Sequence, residues 1–441
     1  MSNVAFNPMI EASKFWTLRG NPAILTGRKL KRENTQWTHD GVKHGVVFLN
    51  IGDTHLEKNI IVPSMVKEAI HTAVENQPMC YTFSEGHPEL VKSVAKYYGV
   101  PDTEVFIVNG VTESILFLAR MMSQVSGGTK EAAKFARRTN WPNIMLINPV
   151  YPPWSGILLE NGLKLNLVDR HPAGKLCGQP DVKQLKRKIN DGTQAIVLIP
   201  ADNPTAKFLD KSIVEEIVRT IHERQKKGQN IFLIVDNIYM EFIDPKLRAD
   251  YVGLSNKYKI PLIMLGGIDK TLGTGLHGGW QVIHIPAELE SLHRQTLEAM
   301  RVLFAKYLGA NTITQYAMMP YFNDYQRVLV DIKKNINTFH NWCDKFQKGL
   351  KKGEKKYLRF KYGSPQLPLY LWLEIIPKKI WANATEFADD LVRSTGVLVA
   401  PGDPFGDKNC FRISVVRDPI KPINIPRIML DFIQKKATLH R

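Results

Sequence analysis

A lysine in a glycine-dense turn is the first residue of this chain that could do covalent chemistry. Lys270 follows the apolar run 261–266 and lies within the segment 264-MLGGIDKTLGTGLHGGW-280. A partly buried lysine with a lowered pKa can form a Schiff base with a carbonyl group. A surface lysine on a flexible loop would give the same pattern, so the residues alone leave both interpretations open.

A carboxylate and a tyrosine follow another apolar run. Asp236 closes the run 230-NIFLIVD-236, and Tyr239 comes three residues later. A carboxylate at the end of a buried strand costs free energy unless it has a partner. A role in a binding site explains Asp236 as well as a helix cap or a structural ion pair does.

Three further turns place polar or aromatic side chains after apolar runs. The segment 109-NGVTE-113 opens a helical pattern, so its backbone N–H groups could bind an anion, although ordinary capping also explains it. Tyr151 could stack on a flat heteroaromatic ring or simply belong to the core. Asn203 begins the turn 203-NPT-205 and could either point into a cleft or only shape the turn.

An arginine lies inside an apolar run near the end of the chain. Arg412 stands between Phe411 and Ile413 in 410-CFRISVV-416. A buried guanidinium needs partners, and a carboxylate is its natural bidentate partner. That carboxylate could come from a substrate, but a structural ion pair is favoured when this residue is considered alone.

Alternating elements must position these residues. From about residue 60, short apolar runs rich in β-branched residues alternate with helical patterns, and continuous apolar runs are typical of strands buried on both faces. The runs are 105–109, 144–148, 164–168, 195–200, 230–236 and 261–266. The alternation predicts an α/β fold with a mostly parallel sheet, in which ligands bind at the carboxyl ends of the strands.

The pattern changes after about residue 325. A long helical stretch precedes a strand, a helix and two more strands, which predicts a smaller α+β domain. Residues 1 to about 45 show little periodicity and are expected to be an irregular lead-in. We therefore expect an N-terminal arm with part of the small domain at 1–60, a large domain at 61–324 and a small C-terminal domain at 325–441.

Composition excludes several classes of function. The 441 residues are 44% hydrophobic and 23% charged, with four scattered cysteines and no Cys-x-x-Cys pair, so neither a zinc site nor a dithiol redox site is expected. The sequence contains no run of about 18 apolar residues, so no membrane span is predicted. A reducing cytoplasm is the simplest location. The net charge of +17 could attract anions, but a basic solvated surface is the favoured interpretation, and no nucleic-acid partner is expected.

Taken together, the order and spacing of these segments resemble the class I/II aminotransferases, which are fold-type I pyridoxal-phosphate enzymes. The resemblance runs from about Gly52 to Arg417 and rests on several motifs. They are 81-YTFSEGHPEL-90, 109-NGVTE-113, 203-NPT-205 (with Ala206 where the family has glycine), Asp236-x-x-Tyr239, Lys270, and 401-PG-402 followed by 411-FRI-413.

The resemblance implies a fold, a cofactor and a reaction. The fold is a large domain with a mostly parallel central sheet plus a smaller α+β domain, and the cofactor is pyridoxal 5'-phosphate. The reaction moves an amino group between an L-α-amino acid and a 2-oxo acid in a homodimer with shared active sites. Another reaction on the same scaffold, by a decarboxylase, lyase, cyclase or oxidase, and a non-catalytic descendant stay open as alternatives.

The resemblance also implies roles for individual residues. Lys270 would hold the cofactor and move a proton, with Asp236 on the ring nitrogen and Tyr239 on the ring oxygen as the other catalytic residues. The remaining implied contacts are Tyr151 stacked on the ring, Asn203 on the ring oxygen and near the substrate, Gly110, Val111, Thr112, Tyr81 and His277 around the phosphate, and Gly52 and Arg412 at the substrate carboxylate.

Three positions around Lys270 depart from the family pattern. Gly267-Ile268-Asp269-Lys270 stands where the family usually has Ser-x-Ser-Lys, so a phosphate-binding hydroxyl is missing and Asp269 adds a negative charge. With a one-residue gap, His277 falls where the family has an arginine that pairs with the phosphate. Histidine is a weaker and titratable partner for a phosphate.

Overall fold

The computed structural model describes residues 17–78, 80–123, 141–377 and 379–439. Its strands are β1 (Trp37–His39), β2 (Val42–His44), β3 (Val47–Leu49), β4 (Val105–Val108), β5 (Asn143–Ile147), β6 (Lys164–Val168), β7 (Thr193–Leu198), β8 (Phe232–Asp236), β9 (Leu262–Gly267), β10 (Gly279–His284), β11 (Leu358–Phe360), β12 (Tyr370–Ile375), β13 (Val397–Pro401) and β14 (Cys410–Ser414). Its α-helices are α1 (Pro22–Arg32), α2 (Ser64–Asn76), α3 (Pro88–Tyr98), α4 (Val111–Met122), α5 (Pro152–Glu160), α6 (Val182–Lys188), α7 (Lys211–Gln225), α8 (Tyr251–Tyr258), α9 (Glu290–Ala305), α10 (Thr312–Asn323), α11 (Tyr325–Leu350), α12 (Ala384–Thr395) and α13 (Ile425–Leu439).

A seven-stranded sheet forms the centre of the larger part of the molecule. Its order is β4-β10-β9-β8-β7-β5-β6, and β10 runs antiparallel to both of its neighbours. The pairs of β5, β6, β7, β8 and β9 are parallel. The predicted mostly parallel sheet is therefore confirmed. Strand β10 was not predicted, because its six residues directly follow a glycine-rich turn and include Gln281 and His284.

Helices cover both faces of this sheet. Successive residues of one strand point to opposite faces, so Leu233 and Val235 join one hydrophobic core while Ile234 joins another. On the first face, α7 buries Ile213 and Ile217 with their neighbours at helical spacing. On the second face, α4 and α9 supply aromatic side chains to the core. The sheet is thus buried on both sides, as its continuous apolar runs indicate.

A second sheet has five strands in the order β11-β12-β14-β13-β3. Its last strand, β3, comes from near the beginning of the chain and pairs in parallel with β13. The helices α12 and α13 pack on this sheet around Phe387, Phe411 and Phe432. This region is the smaller α+β part of the fold, although the numerical division at residues 60 and 325 stays a prediction.

The expectation of an irregular lead-in is wrong for the residues that form α1. Asn21 caps this helix by accepting a hydrogen bond from the Ala23 N–H group at 3.0 Å, and Ile24 is buried in a small cluster with Leu398. The packing is tight, because a Cβ atom on Gly27 would overlap the Leu398 side chain. Capping and packing thus stabilise this helix, whose buried residues Ala23, Ile24 and Gly27 lie on one face.

The lengths of the helices and the positions of the His, Cys, Asp and Glu side chains bear on membrane spans and metal sites. Within the described ranges, no helix is long and apolar enough to cross a membrane. The same residues contain no group of three or more His, Cys, Asp or Glu side chains arranged to hold a metal ion.

Candidate active site

The carboxyl ends of five strands of the large sheet meet around one cavity of about 760 Å³. It also reaches the small sheet, which contributes Tyr370 and Arg412. Eleven of the twelve site residues predicted from the sequence line it: Gly52, Gly110, Val111, Thr112, Tyr151, Asn203, Asp236, Tyr239, Lys270, His277 and Arg412. Residues that are up to 360 positions apart in the chain therefore share one site.

Tyr81 is the predicted residue that this chain does not bring to its own cavity. Its side chain is 80% exposed, and Phe83 beside it is 69% exposed. Two large aromatic side chains on one short exposed segment are unusual for a surface that faces water alone.

Asp236 ends β8 as a buried carboxylate that is 3% exposed. Its Oδ2 accepts a hydrogen bond from the Trp154 indole N–H at 3.0 Å, and its Oδ1 accepts one from the Ile238 backbone N–H at 3.3 Å. Burial raises the pKa of Asp236 to about 6, and these two hydrogen bonds lower it in part. The strand thus delivers a carboxylate that is costly to ionise and ready to pair with a cationic group.

Trp154 is a residue of the site that the sequence analysis missed, because an aromatic side chain in an apolar setting is equally typical of a core. Trp154 lies in the first turn of α5 and is fully buried. Tyr151 precedes the helix and lines the cavity itself. Burial raises the pKa of Tyr151 to about 12, while a hydrogen bond with the Thr112 side chain lowers it in part.

Asn203 connects two other predicted residues. Its Nδ2 donates to the Tyr239 hydroxyl at 3.3 Å, and its Oδ1 accepts from Nη1 of Arg412 at 2.6 Å. The Tyr239 hydroxyl also shares a 2.8 Å hydrogen bond with the Tyr370 hydroxyl. Burial raises the pKa of Tyr239 well above its ordinary value, so this phenol keeps its proton and can donate it to an anionic oxygen.

Arg412 is fixed on β14 with its guanidinium between two aromatic rings. The guanidinium carbon lies 4.5 Å from the centre of the Tyr370 ring and 5.0 Å from that of Phe405. Its Nη2 donates to the Asn50 carbonyl oxygen at 2.7 Å. No Asp or Glu forms an ion pair with Arg412 among the residues described, so the structural ion pair favoured by its sequence context is not found there.

Tyr370 and Asn50 are further members of the site that the sequence did not reveal. Tyr370 lies in the apolar strand β12, where a core role was the obvious interpretation. Asn50 contributes its backbone carbonyl oxygen, which has no sequence signature.

Lys270 follows β9 and reaches across to the segment before α2. Its Nζ donates to the Gly52 carbonyl oxygen at 2.7 Å. A Cβ atom on residue 52 would overlap the Tyr370 hydroxyl, so glycine is needed there for the backbone to come this close. The amine of Lys270 is therefore held at the cavity wall rather than on a free surface loop.

The other end of the cavity is formed by the first turn of α4. Gly110 is the N-cap residue of this helix and has a positive φ of 81°. As a glycine it has no side chain that could cap the N–H groups of the first turn. Asp269 lies here too: its Oδ1 accepts from the Gly278 N–H at 3.2 Å, and its Oδ2 is 3.8 Å from Nδ1 of His277. Burial raises the pKa of Asp269, while Lys270 and His277 lower it.

Comparison with known proteins identifies the family of this chain. The family model for aminotransferase class I and II matches residues 44–419. A glutamate-pyruvate aminotransferase of Haemophilus influenzae is 24% identical over 257 residues, which cover 56% of this chain and 57% of that protein. The tyrosine aminotransferase of Mus musculus is 23% identical over 98% of this chain and 84% of that protein.

The comparison with solved structures shows the same fold. The solved structure of an alanine aminotransferase from Pyrococcus furiosus matches with a TM-score of 0.79 and 24% identity, covering 99% of this chain and 100% of that one. The chain belongs to the class I and II aminotransferases. It is a transferase that depends on pyridoxal phosphate, and the other reactions considered for this scaffold are not favoured.

Proposed function

We propose that this site moves an amino group between an L-α-amino acid and a 2-oxo acid, with Lys270 as the catalytic base. The observation that carries the proposal is that the Lys270 amine, the buried Asp236 carboxylate and the Arg412 guanidinium all line one cavity. The amine can react with a carbonyl group or take a proton from an α-carbon, and the carboxylate can pair with a cationic ring nitrogen. The guanidinium can bind the carboxylate of a substrate.

The residues around the cavity fit pyridoxal phosphate at its ring end. Asp236 would hold the protonated ring nitrogen, Tyr151 would stack on the ring, and Asn203 and Tyr239 would donate hydrogen bonds to the ring oxygen. Backbone N–H groups of the first turn of α4 would hold the phosphate, since a helix N-terminus binds anions. When bound, this cofactor supplies a carbonyl group for the substrate amine and a ring that accepts electrons from the substrate.

The chain's own residues would then orient the substrate and move its proton. Arg412 would bind the substrate carboxylate through its fork of N–H groups, which its aromatic neighbours hold in place. Nζ of Lys270 would take the proton from the substrate α-carbon and deliver it to the cofactor, on the other side of the substrate nitrogen. The Gly52 carbonyl oxygen, 2.7 Å from Nζ, would guide this amine when it is not covalently engaged.

We also propose that the protein is a homodimer in which Tyr81 completes the site of the partner subunit. The support is the high exposure of Tyr81 and Phe83 and the position of Tyr81 outside its own cavity. A reducing cytoplasm is the proposed location, in keeping with four cysteines that all occur as free thiols.

An amino-transfer assay tests the reaction. The protein, loaded with pyridoxal phosphate, is given 2-oxoglutarate and a panel of amino acids that includes alanine, tyrosine and aspartate. We expect glutamate and the matching 2-oxo acid to form in equal amounts. Lys270→Ala should abolish this turnover, whereas Lys211→Ala, at an exposed position at the start of α7, should not change it. Release of carbon dioxide or free ammonia without glutamate would contradict amino-group transfer.

A further inference from the structure

The phosphate end of the cavity contains a carboxylate of the protein itself. Asp269 lies just before Lys270, and its Oδ2 comes within 3.3 Å of the place that a Cβ atom on Gly110 would occupy. Gly110 is the residue from which α4 starts, so this oxygen lies beside the N-terminus of a 12-residue helix.

That location is favourable for an anion, either the Asp269 carboxylate or a phosphate group. The N-terminus of a helix carries roughly half a positive elementary charge and points N–H groups outward. Asp269 has the Gly278 N–H as a further donor at 3.2 Å and the His277 ring nearby. The carboxylate is thus held at the end of the cavity by contacts that a phosphate group would also seek.

Lys270 and His277 are the basic side chains that act on Asp269 in the described part of the chain. Nδ1 of His277 is 3.8 Å from Oδ2 of Asp269, and the His277 side chain is 73% exposed. Lys270 also favours the ionised form of Asp269, but its amine donates a hydrogen bond to the Gly52 carbonyl oxygen. A phosphate placed at the helix would therefore add its negative charge next to that of Asp269.

We propose that Asp269 competes with the cofactor's phosphate group for the N-terminus of α4, so that the protein holds the ring of the cofactor well and its phosphate weakly. This inference rests on the proposed function and concerns the specificity of the same site. It makes Asp269 the residue that sets how readily the cofactor leaves and how little the protein distinguishes pyridoxal phosphate from pyridoxal.

Binding measurements test this without any assay of activity. The dissociation constants of pyridoxal phosphate and of pyridoxal, which lacks the phosphate, are measured by equilibrium dialysis for the cofactor-free protein. Asp269→Asn keeps the shape of the side chain and removes its charge, and Asp269→Ser restores the hydroxyl that is usual in the family. Asp53→Asn removes a different carboxylate of the same cavity and serves as the matched control.

Both Asp269 variants should bind pyridoxal phosphate about 10- to 100-fold more tightly, the size expected when a like charge is removed at short range. The affinity of both Asp269 variants for pyridoxal should change less than about 3-fold. In Asp53→Asn, the ratio of the dissociation constants of pyridoxal and pyridoxal phosphate should also change less than about 3-fold. Equal changes for both ligands, or no change for either, would overturn the inference while leaving the proposed function intact. If neither the natural protein nor any variant bound pyridoxal phosphate, the proposed function would fall as well.

Discussion

Trp154 shows how a single hydrogen bond can favour the ionised form of a buried carboxylate. Its indole N–H is 3.0 Å from Oδ2 of Asp236 and lowers the pKa of a group that burial raises. A donor to an ionised acceptor contributes about 1.5–3 kcal/mol. We therefore regard Trp154 as a positioning residue that keeps Asp236 ionised and aimed into the cavity.

We expect Trp154→Phe to lower kcat/KM about 10- to 100-fold, since 1.4 kcal/mol corresponds to a factor of ten. Without the donor, the pKa of Asp236 rises, so the acidic limb of the kcat/KM profile should move to higher pH. Trp280→Phe is the matched control, because Trp280 is also buried but donates its N–H to Tyr98 at 3.0 Å instead. An acidic limb that stays in place in Trp154→Phe would contradict this role.

The candidate residues could be found in the sequence where a polar side chain interrupts or ends an apolar run. Lys270, Asp236 and Arg412 all have that signature. Tyr370 and Trp154 do not, because an aromatic residue in an apolar setting is equally typical of a core. Their roles depend on contacts across 131 and 82 positions of the chain, between Tyr370 and Tyr239 and between Trp154 and Asp236. Such contacts become visible only in three dimensions.

At the scale of elements, β8 carries a carboxylate into the protein interior at a cost in stability. In the folded cofactor-free protein, burial raises the pKa of Asp236 from its ordinary value of 3.8 to about 6. A raised pKa means that the folded state binds the proton more tightly than the unfolded state. The cost is therefore absent below about pH 3.8, grows as the pH rises and is complete above about pH 6.

Asp236→Asn removes this titration, so the pH dependence of stability should change. Between pH 5 and pH 8 the natural protein should lose about 1.4 kcal/mol of unfolding free energy relative to the variant, as follows from the two pKa values and 1.36 kcal/mol for each pH unit. Urea unfolding of both cofactor-free proteins at the two pH values measures this loss. A difference between the two proteins that does not depend on pH would contradict it.

The elements themselves were predictable to different degrees. Strands β4 to β9 follow continuous apolar runs, and their order along the chain predicts the parallel sheet. The helix α1 was missed although Asn21-Pro22 is a local helix-start signal. Its packing on Leu398, about 370 positions later, is visible only in three dimensions. Strand β10 escaped notice for a similar reason, since its place between β4 and β9 is a property of the sheet and not of its own six residues.

At the scale of the whole molecule, each of the two sheets contributes a different set of residues to the site. The large sheet presents Lys270 and Asp236 at its carboxyl edge, and the small sheet presents Arg412 and Tyr370. The cavity therefore exists only where both parts meet. Within this division, Tyr81 stands apart on the surface, which is the main reason to expect a second copy of the chain.

Mixing two defective variants tests the proposed dimer. Lys270→Ala and Tyr81→Ala should each lose most of their activity, since each removes one member of every site. If Tyr81 acts in the partner's site, subunits unfolded and refolded together should regain about a quarter of the natural activity, because half of the dimers are mixed and each has one intact site. No recovery, in a protein that light scattering shows to be dimeric, would mean that Tyr81 acts elsewhere.

The visible absorption spectrum of the purified protein with pyridoxal phosphate is the most direct test of Lys270 as the residue that engages the cofactor and exchanges it with a substrate amine. We predict a yellow absorption band that is absent in Lys270→Ala, that bleaches when one amino acid of a panel is added, and that returns with a 2-oxo acid. A colourless protein that takes up no added pyridoxal phosphate, or a band that no amino acid alters, would contradict an aminotransferase built on Lys270.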